Sequence, residues 1–251
     1  MDAIVTYIQP YSLVASRLSP LFIGMSMTPI ARFPATVRLL LLLIFTIAIT
    51  QITTQQWEAL PKSTWVYEIL GEFGLGVLMA LGFQIVFAAM QIMGRVLDMQ
   101  IGFAAAGVID PISRNNDPLL GTILSLFVTL LILVSNTHHH ILGVIVEIFS
   151  FVPPGSWNGE FYFANIMGYL SSQLVFAFLL FGPVMMALWM LDLFNGIIAK
   201  TMPQMNVYFV MLPLKIGVGI FLMSVAMQYV KPLISQILQS LVEWFRFGWV
   251  L

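Results

Sequence analysis

Residues 95–118, RVLDMQIGFAAAGVIDPISRNNDP, separate two long apolar stretches with charges, small residues and helix breakers. A helix surrounded by lipid cannot hold such an insert, because backbone polar groups in hydrocarbon need partners within the protein. Irregular backbone at that depth must be buried in protein or line a cavity. The segment is therefore either a constriction or plug within a pore, or a polar loop outside the membrane. Its composition does not choose between them.

The relevance of a membrane follows from how little charge the chain carries. Of its 251 residues, 60% are hydrophobic and 8% charged, where a soluble domain has about 25% charged residues. So few charges cannot cover a water-facing surface. The chain is expected to be an all-α, multi-helix membrane protein or the core of a very apolar assembly. A net charge of -1 offers no basic footprint for nucleic acid. The absence of cysteine excludes disulfides, thiolate metal sites and cysteine nucleophiles. Asp2 lies near the start and no basic residue precedes Arg17. The positive region of a cleavable signal peptide is missing, so the first apolar segment is expected to stay as a helix.

The hydropathy pattern predicts roughly seven or eight helical segments. The first covers residues 7–27, with Pro20 as a kink, and the second residues 38–52. Between them lies a turn with Arg32 and Arg38, whose charge suggests a cytoplasmic position. The third, 65–100, exceeds the roughly 20 residues that one span needs. It contains Glu68 and Glu72 one turn apart, and a Gly76-x-x-x-Ala80 pattern that permits close helix approach. A further apolar stretch, 119–147, breaks near the run Ser135-Asn136-Thr137-His138-His139-His140. Then come 161–200, with Pro183 in its middle, and two final segments, 207–230 and 233–251, parted at Lys231-Pro232. Several segments fit a simple span poorly, which suggests an unconventional bundle.

Charges inside apolar helices are costly unless paired, so each is a candidate contact. Arg95 and Asp98 lie one turn apart and read either as a charged pair at a constriction or subunit contact, or as an interfacial pair at a helix end. Asp192, Asn195, Gly196 and Lys200 share one helical face by spacing. Asp192 would relay protons or, as is commoner, satisfy a polar group on a neighbouring helix. Lys215 would pair with a carboxylate of another chain or snorkel to the interface. His138, His139 and His140 are consecutive, and successive helical side chains point about 100° apart, so they suit a solvated loop better than a metal. The 16 methionines read mainly as core filling, with a deformable seal as the sharper alternative. No Walker A, GxSxG, HExxH or Rossmann glycine pattern occurs, so neither an enzyme nor a cofactor is expected.

Three blocks resemble the FliR family of flagellar export-gate proteins. They are KTMPQMNVYFVMLPLKIGVG (200–219), RVLDMQIGFAAAGVIDP (95–111) and TPIARFPATVRLLLLL (28–43). Their order and the chain length agree with that family, and the Met-Pro-Gln-Met-Asn block is the most specific part. The SctT family of virulence secretion systems shares parts of these motifs. The resemblance implies one export-gate domain over 1–251, with a FliP-like portion (1–206) and a FliQ-like helical hairpin (207–251). It implies assembly with FliP and FliQ, association with FlhB, and passage of unfolded flagellar proteins across the bacterial inner membrane at the flagellar basal body. By position it also implies a plug loop, 102–118. The plug candidates are Gly102, Phe103, Ala104, Ala105, Ala106, Gly107, Val108 and Ile109. Small side chains there pack densely and can be displaced, and Phe103 and Ile109 add apolar bulk. The charges Arg95, Asp98, Asp192, Lys200 and Lys215 are candidate buried or subunit contacts. The rival from another class is a secondary solute transporter, using Asp192, Arg95 and a helix broken at Pro183.

Overall fold

A computed structural model describes residues 2–24, 28–53, 65–103, 118–155, 163–202 and 207–247. Among them there are seven α-helices, one short 3-10 turn and no strand. The helices are α1 (Asp2–Ile23), α2 (Ala35–Thr53), α3 (Trp65–Ile101), α4 (Leu119–Val134), α5 (Thr137–Phe151), α6 (Phe163–Thr201) and α7 (Val207–Phe247). The 3-10 turn, Pro29–Arg32, precedes α2. Taken singly, three helices are long and apolar enough to cross a membrane: Ala35–Thr53, Trp65–Ile101 and Asn165–Thr201.

The chain divides into two compact units. The first comprises Met1–Phe87, Ile132–Tyr169 and Leu238–Leu251, and the second Ala88–Leu131 and Leu170–Ile237.

In the first unit, α1 and α3 lie side by side and parallel. Trp65 Nε1 donates to Ser12 Oγ at 3.1 Å, Ser16 Oγ to the Ile69 carbonyl at 2.8 Å, and Gln84 Nε2 to the Gly24 carbonyl at 3.3 Å. Partners thus advance together along both helices. A parallel pair needs a long connection, and α2 supplies the return. Phe22 and Phe45 stack between α1 and α2 with ring centroids 5.5 Å apart. The Gly76-x-x-x-Ala80 pattern serves the close approach that its small residues permit. A Cβ at Gly76 would overlap the backbone of Arg17 and the Pro20 ring. The end of α7 packs on α3 through Trp244, whose ring covers Gly82 and stacks on Tyr169 at 5.1 Å.

In the second unit, α3 crosses α4 at a pair of glycines. A Cβ on Gly94 would overlap the backbone of Gly121. Ile101 then packs over Gly219 of α7.

Three expectations need correction. The break expected at Lys231-Pro232 is absent, so 207–247 is one helix where two segments of a hairpin were expected. Proline removes one intrahelical hydrogen bond and kinks a helix, but an apolar run on both sides lets the helix continue. The same reason keeps α6 unbroken at Pro183, where the transporter reading needed a break. The three histidines are not in a loop but in the first turn of α5. The break between α4 and α5 falls before them, at Asn136, whose φ of 55° is left-handed. Asparagine tolerates that conformation better than most residues.

Candidate functional site

The strongest polar cluster lies in the first unit, between α1, α3 and the end of α5. Arg17 is 0% exposed and Glu72 1%. Arg17 Nε donates to Glu72 Oε2 at 2.5 Å, and Nη2 to Oε1 at 2.9 Å. This is the two-point geometry that a planar guanidinium offers a carboxylate. Both side chains make one further contact each. Arg17 Nη1 donates to the Val152 carbonyl at 2.9 Å, and the Gly155 N–H donates to Glu72 Oε1 at 2.9 Å. Phe149 packs its ring 4.4 Å beneath the guanidinium carbon. Buried charges are tolerated only when paired and fully hydrogen-bonded, which this arrangement provides. It ties the turn after α5 to α1 and α3.

Sequence reasoning missed this pair. A signal existed: Arg17 and Glu72 each sit within a helix otherwise rich in apolar residues, and such charges demand partners. Nothing in the order of residues says that these two meet.

In the second unit, Arg95 and Asp98 do not form the expected pair. Arg95 is exposed and makes no hydrogen bond or ion pair among the described residues. Asp98 is buried, and both its oxygens lie 3.2 Å from the Leu120 N–H. The physical reason is the start of α4. Pro118 precedes Leu119 and has no side-chain acceptor to offer the first N–H groups of α4. Asp98 supplies that acceptor from another helix. Replacing Asp98 with alanine should cost about 1–2 kcal/mol, read as a lower thermal midpoint of the detergent-solubilised chain. Asp98→Asn keeps an acceptor and should recover most of the loss.

Helix α3 ends at Ile101, and Gly102 has a φ of 100°. Its N–H donates to the Asp98 carbonyl at 3.1 Å. A left-handed residue just past a helix is a common stop, and glycine adopts it without steric cost. Gly102 borders a cavity of about 170 Å³, lined also by Met99, Gln100, Asn195 and Met211. Asp192 and Lys215 face it as well, and Lys215 Nζ donates to the two Asp192 oxygens at 2.6 and 2.8 Å. Lys215 thus finds its carboxylate within its own chain, and Asp192 satisfies a group on a neighbouring helix. With Asp192 48% exposed, the pair is accessible rather than sealed. Lys200 is exposed in the last turn of α6, where a cation suits the helix end. Of the methionines, Met79 and Met90 fill the core, while Met99 and Met211 line the cavity. The plug candidates Ala104, Ala105, Ala106, Gly107, Val108 and Ile109 lie outside the described residues. Among the described residues no cluster of His, Asp or Glu has the arrangement to hold a metal.

Long apolar helices, an internally satisfied ion pair and wide exposed apolar faces define an all-α membrane protein. The profile of a family described as "Bacterial export proteins, family 1" matches residues 8–241, and the chain belongs to that family, the FliR family. It is 31% identical over 176 residues to the flagellar biosynthetic protein FliR of Bacillus subtilis, covering 68% of each chain. Against FliR of Escherichia coli the identity is 29% over 177 residues, covering 67% of each. The surface presentation of antigens protein SpaR of Shigella flexneri is 27% identical over 154 residues, covering 61% of this chain and 60% of that one.

Proposed function

We propose that this chain is a subunit of a flagellar protein-export gate in the bacterial inner membrane. In this reading it assembles with FliP and FliQ, associates with FlhB, and helps form the channel for unfolded flagellar proteins. The family match over residues 8–241 carries the proposal. The relatives named FliR favour the flagellar system over a virulence one, because they align over more of the chain than SpaR does. A solute transporter would need a helix broken at Pro183, and α6 is continuous there.

The proposed closing element is the loop that starts at Gly102. Support comes from three neighbouring features. The helix stop at Gly102 releases the chain from α3, Phe103 adds bulk, and Met99 and Met211 offer deformable walls. At rest the loop would keep ions from leaking, and an export substrate would displace it. Arg95, exposed next to this end of α3, would meet a partner subunit.

Deleting residues 102–107 tests this. Cells with the complete gate and the deletion should show a proton leak well above that of cells with the parent gate, measured as faster collapse of cytoplasmic pH after an acid pulse. The deleted subunit must still co-purify with FliP and FliQ. An intact assembly with an unchanged leak would remove the plug role. A chain that fails to restore motility to a strain lacking its own FliR, and that purifies without partners, would remove the export-gate reading.

A further inference from the structure

Helix α2 is the least covered of the three candidate spans. Only 22% of its apolar window is buried, against 61% for Trp65–Ile101 and 39% for Asn165–Thr201. Its outward side chains include Leu39, Leu40, Leu43, Ile44 and Ile47, all exposed. An exposed apolar face of this size marks contact with lipid or with another protein.

Charge at its N-terminal end says more. Arg32 is exposed in the preceding turn, and Arg38 is half-buried in the first turns of α2. No Asp or Glu occurs between Asp2 and Glu58 to balance them. Among the described residues neither arginine makes an ion pair. Arg38 Nη1 has one long hydrogen bond, 3.4 Å, to the Ile23 carbonyl, and its Nε is buried with no partner.

Ile23 also lines an open cleft between α1 and α3. The cleft has a volume of about 260 Å³ and is walled by Pro20, Phe73, Val77, Ala80 and Leu81. Its polar residues are Ser19 and Gln84, and the Gln84 amide already donates to Gly24. A peptide entering the cleft would leave backbone groups unsatisfied, at real cost. An acyl chain has none to satisfy.

We infer that the cleft and the two arginines form a binding site for an anionic phospholipid. One acyl chain occupies the cleft, the other lies along α2, and the phosphate engages Arg38 and Arg32. A zwitterionic lipid brings its own cation and compensates the arginines less well. The site concerns lipid recognition and does not depend on the export reading.

Native mass spectrometry of the full chain in detergent tests it, with titration by phosphatidylglycerol or phosphatidylcholine of identical acyl chains. Phosphatidylglycerol should bind more tightly. Each arginine near an anionic headgroup is worth about 1 kcal/mol, so Arg32→Gln should weaken phosphatidylglycerol about fivefold and R32Q/R38Q about thirtyfold. R32K/R38K should retain the preference. Leu81→Trp, which fills the cleft, should weaken both lipids alike. Glycerol 1-phosphate should not displace the lipid. Three results would each overturn the site: phosphatidylglycerol binding unchanged in Arg32→Gln, both lipids unaffected by Leu81→Trp, or displacement by glycerol 1-phosphate. Arg32 is exposed, so its single variant keeps the test decisive even if the double variant fails to fold.

Discussion

Arg17→Met should destabilise the chain by about 3–5 kcal/mol, the usual cost of leaving one partner of a buried ion pair alone. The variant strands the Glu72 carboxylate in a site 1% exposed and removes the donor to the Val152 carbonyl. Gly155 would remain the one donor to Glu72 that this cluster retains. Glu72→Leu should cost a similar amount, because it buries the guanidinium without its carboxylate. The double variant R17M/E72L should cost clearly less than the sum, since an apolar pair of similar volume needs no compensation. The measurement is thermal unfolding of the detergent-solubilised chain for all four members of the cycle. Additive losses would mean that the two side chains do not depend on each other, and the view of the cluster as one unit would fall. Because the pair holds the turn after α5, proteolysis near Val152 should also accelerate in either single variant.

Gly94→Val carries the second large effect. At Gly94 the obstacle is the backbone of Gly121 and Leu120, not the tip of a flexible side chain. The helices must therefore separate, at about 3 kcal/mol or more, the upper range for overpacking. Separation would also draw Asp98 away from the Leu120 N–H and uncap α4. Gly196→Ala is the matched control. It lies within α6 and nothing stands within 4 Å of a Cβ there, so it should be neutral or stabilising by up to about 1 kcal/mol. Comparing the two variants by folded yield and unfolding midpoint separates packing from helix propensity. Equal behaviour would show that the α3–α4 crossing is looser than described.

Helical segments were largely legible because apolar runs of span length leave few other folds. The predicted third helix, 65–100, differs from the observed Trp65–Ile101 by one residue. The break near Asn136 was legible for the same reason, as a polar interruption of an apolar run. Proline was the weak signal. Pro183 and Pro232 suggested interruptions, yet both lie inside continuous helices, since losing one hydrogen bond does not outweigh the apolar packing on either side.

Pairing was legible in kind but not in partner. Asp192 was expected to satisfy a neighbouring helix, and it does, through Lys215. Lys215 was expected either to meet a carboxylate of another chain or to snorkel to the interface, and it instead reaches Asp192, 23 positions away in its own chain. Arg95 and Asp98 looked like a pair because they are one turn apart, but Asp98 serves α4 instead.

The sequence by itself determined an all-α membrane protein, most of its helical segments and its family, because hydropathy and local motifs are properties of consecutive residues. Tertiary structure alone decided which charges meet. Arg17 and Glu72 are 55 positions apart, and only the parallel packing of α1 on α3, set by the missing Cβ of Gly76, brings them into contact. A buried charge announces that it needs a partner, and the close approach of two helices decides which one it gets.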